Sequence, residues 1–214
     1  MALQVTWTAR ASATSSQVTQ AKKYLLVLSD MPKGWKTEKG TGGGGPSQVP
    51  GAKQLASCLG ISAKLINENA PTANGPYYEN GDGSLEVQDS VTVFPSAQNA
   101  KANLAALGNP KTPGCMTTFM NTPKIKAVFA GGQKGTTIGT ITVAATSPAV
   151  YGANTAGFTM SLPITSQGIS LVGHIAIVYF LKGKLGQQLN FNAYGRTFPT
   201  SFASHLMVVA KQRL

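Results

Sequence analysis

The chain has 214 residues, with 18 Lys and Arg against 7 Asp and Glu, a formal net charge of +11. That length fits one large domain or two small ones, and a domain of this size holds a core without a metal or a covalent staple. Apolar residues at 42% beside charged ones at only 12% exclude a disordered chain, and no apolar run reaches the ~18 residues of a membrane span.

Residues 1–15 read as a polar, flexible lead-in, and 16–214 as a single domain. Val18, Ala21, Leu25 and Leu28 recur at helical spacing behind a possible Ser16 cap. Pro32 stops that helix, because the residue before a proline avoids the helical region. The run GTGGGGPSQVPG at 40–51 is a loop. It contains GxGxxG at Gly40, Gly42 and Gly45, but no strand precedes it and Pro46 stands where a helix should open, which excludes a dinucleotide site.

Leu55 to Ile66 fits a strand or a short helix around Cys58. Asn80-Gly81-Asp82-Gly83 is a turn joining the Tyr77-Tyr78 segment to a strand. In that strand Leu85, Val87, Val91 and Val93 alternate with Glu86, Gln88, Ser90 and Thr92, which predicts one wet face. Asp89 breaks the apolar series, and a strand irregularity is the preferred reading over an inward, partnered carboxylate. Ser96 caps a helix carrying Ala97, Ala100, Leu104 and Leu107, and Gly108 ends it. Thr112 to Met120 is a second helix, holding Cys115, with Pro113 near its start.

The second half is a run of strands. Thr136 to Thr146 alternates imperfectly, and Phe158, Met160 and Leu162 alternate cleanly. Ser166-Gln167-Gly168 turns into Ile169 to Leu181, which is apolar on both faces and therefore predicted central and covered on both sides. Lys182-Gly183-Lys184 turns into Leu185 to Tyr194, where Leu189, Phe191 and Ala193 oppose Gln188, Asn190 and Asn192. Pro199 opens a last helix with Phe202, Leu206 and Val209 on one face. The sum is α+β: an antiparallel β-meander sheet with helices packed on it.

All seven acids lie between residues 30 and 89, whereas residues 90–214 hold ten Lys and Arg and no carboxylate side chain. Such asymmetry suggests an anionic partner, acidic lipid head groups or an anionic wall polymer, the other reading being a basic protein kept soluble by its net charge. The basic residues are scattered and no RNA- or DNA-binding motif is present, so no nucleic acid is expected. Thr, Ser, Asn, Gln and Gly stand where charges normally sit, an exported-type composition. Cys58 and Cys115, an even pair 57 apart, are expected to form a disulfide in that setting, the other reading being two buried free thiols. No signal peptide is legible. The reading favours an extracytoplasmic chain that starts after a removed signal or anchor, with peripheral membrane contact through such an anchor. Oligomeric state is not legible.

For chemistry, neither CxxC nor neighbouring His points to a metal, and no cofactor is implied. A Ser-His-acid hydrolase needs a carboxylate near His174 or His205, and none follows residue 89. Glu79, Asp82 and Glu86 are expected to be solvated rather than a glycosidase pair. Ala130 to Thr136 resembles a phosphate loop only loosely and reads as a turn. With few carboxylates available to drive acid unfolding, the fold is expected to survive near pH 3, Asp30 and Asp89 being the first suspects if it does not.

The order of elements resembles a family. Ser29-Asp30-Met31-Pro32-Lys33-Gly34-Trp35 after an amphipathic helix is similar to an Asp-Leu-Pro-x-Gly-Trp opening of actinobacterial exported proteins. Cys58, the strand ending at Phe94-Pro95, the helix from Ser96, Cys115, the meander and residues 199–213 follow in the same order. The layout resembles the extracellular sensor domain of PknH-type receptor kinases and the LpqN-type lipoproteins, within the PsbP-like α/β sandwich. It departs in having one cysteine pair where such sensors carry two, and in lacking a kinase domain. The resemblance implies an exported, non-enzymatic domain binding a small, lipidic or anionic ligand in a groove on the sheet, with no catalytic residue. An envelope hydrolase and an adhesion module for anionic polymer or lipid are the alternatives. The candidates for the groove rim are Trp35, Tyr77, Tyr78, Tyr194 and Phe198, with Lys182, Lys184 and Arg196 at strand ends; the other and preferred reading of each is plain packing for the aromatics and solvated turns for the charges.

Overall fold

A computed structural model describes residues 15–38, 52–63, 70–131, 133–146 and 154–214. The expected lead-in, but for Ser15, and the 40–51 loop lie outside these residues. The elements are α1 (Ser15–Lys22), β1 (Lys36–Glu38), α2 (Ala52–Leu59), β2 (Thr72–Asn74), β3 (Tyr77–Glu79), β4 (Leu85–Val93), α3 (Ala97–Leu107), α4 (Thr112–Met120) and α5 (Pro123–Phe129). They continue with β5 (Thr136–Ile138), β6 (Thr142–Ala145), β7 (Thr155–Ser166), β8 (Ile169–Lys182), β9 (Leu185–Tyr194) and α6 (Thr200–Arg213). The fold is α+β, and none of the described helices is long and apolar enough to cross a membrane.

All nine strands form one antiparallel sheet in the order β1-β3-β4-β9-β8-β7-β5, with β2 also on β4 and β6 also on β7. The strand beside β4 and the strand beside β7 are each broken in two. On one side β2 and β3 share the edge of β4, parted at Gly75-Pro76; on the other, β5 and β6 share β7, parted at 139–141. The single strand expected over 136–146 is thus two short ones. At that break Gly139 runs so close to Pro163 that a Cβ would crowd its ring.

The hairpin turns sit where the sequence puts them. Gly83 and Gly183 close their turns with positive φ, and Gln167-Gly168 does so with both residues left-handed. Ser96 caps α3 by accepting the Asn99 N–H at 3.1 Å, and Gly108 ends it.

Two cores sandwich the sheet. On one face Val87, Val91, Val178, Phe180, Leu189 and Phe191 pack against α6 and α1. On the other, Phe158, Met160, Leu162, Ile175 and Ile177 pack against α2 and α4, with Leu55, Cys115, Met116, Phe119 and Met120. The Cys58–Cys115 disulfide ties α2 to α4 across a Cα–Cα distance of 5.8 Å.

Three expectations are corrected. The first helix ends at Lys22, not before Pro32. Leu26 is instead held by the sheet: its N–H donates to Asp89 Oδ2 at 2.9 Å and its carbonyl accepts from Tyr78 OH at 2.7 Å. Leu28 then lies in a 3-10 turn, Leu28–Asp30, and Asp30 accepts from Arg213 of α6 at 2.8 Å. Second, β4 has no wet face; all nine of its residues are buried. Third, β8 is interior to the sheet as expected, but its first four residues are uncovered, with Ile169 at 70% exposure. The span 55–66 is helical through Leu59, and 64–66 lie outside the described residues.

Candidate functional site

Parity along β4 and β9 decides the site. Directly paired residues share a face, so Glu86–Asn192, Gln88–Asn190 and Ser90–Gln188 stack side by side on the α3–α4 side of the sheet, with Thr92 beyond them. All seven side chains are buried. A sheet face under helices is ordinarily apolar, so a contiguous polar one is the informative departure. The expectation that Glu86 is solvated is overturned: it is 4% exposed. Alternation in the sequence reports which residues share a face; it does not report what lies over that face.

The floor is partly knit by its own bonds. Gln188 Nε2 donates to Asn190 Oδ1 at 2.7 Å, Gln88 Nε2 to the Gly75 carbonyl at 3.2 Å, and Thr72 and Thr92 share a hydroxyl bond of 3.0 Å. Glu86 Oε2 accepts from Asn192 Nδ2 at 3.3 Å and from Tyr194 OH at 3.2 Å. Burial pushes the Glu86 carboxyl up, against the pull of those donors. Burial, then the Glu86 charge, also raises the Tyr77 and Tyr194 hydroxyls. Two buried polar atoms on this face have no partner: Asn192 Oδ1, and the hydroxyl of Tyr179, which sits opposite Gln188 in the ladder. Most buried polar atoms in folded proteins are paired, so these two depart from the usual pattern.

The expected groove rim does not come together. Tyr78 lies opposite Val87, on the α1–α6 face, and its hydroxyl is spent on Leu26. Trp35 and Phe198 join the same core through Phe202, at ring separations of 5.0 and 5.6 Å. Lys182 and Lys184 are exposed at the β8–β9 turn, about 30 Å along β9 from Tyr194 at ~3.3 Å per residue. Arg196 is exposed beyond Tyr194, near Asp82, whose carboxyl is held low by the Ser84 hydroxyl and backbone N–H. Of the eight expected residues, only Tyr77 and Tyr194 border the floor.

A concavity of about 440 Å³ opens between α2 and α4 beside the disulfide. Leu55, Phe119, Cys58 and Cys115 line it, with Gln54, Thr118, Thr122 and Lys124 as its polar members. The expected Cys58–Cys115 disulfide already brings α2 to α4; the open space beside it depends on how the two helices pack and has no local sequence signal.

No hydrolase arrangement is seen among the described residues. His174 projects toward the α1–α6 face, His205 is exposed on α6, and the ion pairs are Lys36–Glu79 and Arg213–Asp30. Asp89 is a further correction: β4 is regular there, and the carboxylate points inward, accepting from Leu26 N–H and from Gln187 Nε2 at 3.0 Å.

No known family's sequence profile matches the chain, and no curated protein matches it. Among solved structures it is similar to the extracellular domain of PknH from Mycobacterium tuberculosis, at 13% identity and a TM-score of 0.44, over 90% of this chain and 94% of that one. No residue's role here is taken from that likeness.

Proposed function

We propose that this chain is an extracytoplasmic, non-enzymatic binding domain of sensor type, which takes a neutral, polyhydroxylated or amide-bearing ligand on the β4–β9 floor. The observation that carries the reading is the floor itself: seven buried polar side chains in register on two adjacent strands, with Asn192 Oδ1 and the Tyr179 hydroxyl unpartnered. Amides and hydroxyls supply donors and acceptors in alternation, the pattern a sugar or a peptide amide matches. Glu86 places a carboxylate at one end, which disfavours an anion there. The disulfide supports an oxidising compartment.

Thermal-shift and calorimetric titration with N-acetylated amino-sugar oligomers tests this. The reading expects saturable stabilisation, no product by mass spectrometry, and loss of the shift in Asn190→Leu. Product formation, or a shift that survives Asn190→Leu, contradicts it.

The cleft beside the disulfide favours a second reading for a lipidic anion. Its walls are apolar and Lys124 offers one cation at its border, the combination that suits an acyl chain with a carboxylate head. A fatty-acid titration that Lys124→Glu weakens and Asn190→Leu leaves unchanged would identify that site.

A further inference from the structure

We propose that the tip of the β7–β8 hairpin docks on an anionic lipid bilayer, with Ile169, Leu171 and Val172 entering the acyl boundary and Lys134 and Arg196 meeting the head groups. Ile169, Leu171 and Val172 are 70%, 37% and 37% exposed, within a run of four uncovered residues. Hairpin ends in water are ordinarily polar. A single exposed aliphatic side chain is unremarkable, but three in four consecutive positions form a patch.

Register builds the tip. Ile169 and Leu171 share the parity of Ile175 and Ile177, whose face packs against α2 and α4. Val172 shares the parity of Val178 and Phe180, whose face packs against α1 and α6. Both helix layers leave the first four residues of β8 bare, so the strand carries its apolar pattern out of the sandwich on both faces. Leu171 pairs with Ile164 and Ile164 with Ile138, so one apolar row crosses β8, β7 and β5 beneath the tip. From Gly173 to Ile169 the hairpin reaches about 13 Å at ~3.3 Å per residue, enough for the ~5–10 Å depth of an interfacial segment.

Charge and area select the occupant. Lys134 is exposed two residues before Thr136, which pairs with Ser166 of β7. Arg196 is exposed just after Gly195, whose N–H donates to the Val172 carbonyl at 3.0 Å. Cations therefore stand on both flanks of the tip. The carboxylate that faces them is Asp82, beside Arg196, and no acidic side chain follows residue 89. Cations on aliphatic stems around an apolar wedge match phosphate head groups above acyl chains, and the net charge of +11 draws the chain to such a surface. A wall polymer would satisfy the cations and leave Ile169 in water. A second copy of the chain fits less well, because three aliphatic side chains offer on the order of 200–300 Å², against the ~800 Å² per partner of a stable protein interface.

The inference goes beyond the floor and cleft readings and stands without them, since vesicles alone test it. The intact protein is sedimented with phosphatidylcholine vesicles made with and without phosphatidylglycerol. Retention on the anionic vesicles is expected. Ile169→Ser, at an exposed position, should weaken it at least about tenfold, because the inserted aliphatic surface is lost. Lys134→Gln combined with Arg196→Gln should also weaken it about tenfold and flatten its salt dependence. In Ile169→Trp, phosphatidylglycerol with brominated acyl chains should quench the added tryptophan, which places the tip among the chains. No retention on anionic vesicles would overturn the proposal. So would retention that Ile169→Ser leaves unchanged, which is adsorption by charge alone, or a dimer that Ile169→Ser dissolves. Failure of the sugar titration leaves these outcomes untouched.

Discussion

Gln187 Nε2 lies 3.0 Å from Asp89 Oδ2 in the core between the sheet and α1–α6, while Asp89 Oδ1 and Gln187 Oε1 both have no partner. Gln187 also donates to the Tyr24 carbonyl at 3.3 Å, so this pair fastens the chain after α1 to the sheet. Two orphan acceptors in contact residues are a place where a proton is welcome. Burial, opposed by the Leu26 and Gln187 bonds, pushes the Asp89 carboxyl up to about 7.

The sign follows from linkage. An unfolded aspartate titrates near ~3.9, so the folded state holds the Asp89 proton more tightly than the unfolded one. Its stabilisation is fully present below about pH 4 and is lost as pH rises through about 7, a change of a few kcal/mol. Glu86, also raised by burial, acts in the same direction. Asp89 therefore strengthens the fold in acid, the reverse of the role first suspected for it. Urea midpoints measured from pH 4 to pH 8 should fall, and Asp89→Asn should flatten the curve. A midpoint that rises with pH, or an unchanged slope in the variant, contradicts this.

Gly75 bears on the same carboxylate. Its N–H donates to the Asp89 carbonyl at 2.8 Å, and a Cβ there would collide with Asp89 Oδ1. Gly75→Ala should cost about 1–3 kcal/mol in chemical denaturation. Gly114→Ala, in α4 with open space around it, should be neutral or stabilising by up to about 1 kcal/mol. Equal effects at the two positions would refute the close approach.

Reducing the Cys58–Cys115 disulfide opens a loop with a sequence separation of 57. The chain-entropy model puts that closure near 4 kcal/mol, or roughly 10 °C in Tm for a protein of this size. Differential scanning calorimetry of oxidised and reduced protein gives the number. A difference below about 2 °C would mean that the α2–α4 packing, not the covalent link, holds that side of the sheet.

The strands that carry the floor were legible as strands, because period-two alternation in β4 and β9 is a local signal. Their burial was not, since alternation is equally compatible with water or with chain above Gln88 and Asn190. The rim failed for a related reason. Tyr77 and Tyr78 are neighbours in sequence and so point to opposite faces; parity from Val87 separates them only once the β3–β4 register is known. Asp89 was visible as an interruption, but its partners at Leu26 and Gln187 come from 63 and 98 residues away.

A ligand on the β4–β9 floor acts first on the side-chain amides that line it. Side-chain amide resonances of Gln88, Gln188, Asn190 and Asn192 report the floor, and Gln54 reports the cleft beside the disulfide. In an NMR titration with a soluble N-acetylated amino-sugar oligomer, binding on the floor predicts saturable shifts of the four floor amides and a stationary Gln54. Movement of Gln54 alone, or of none of the five, would contradict it.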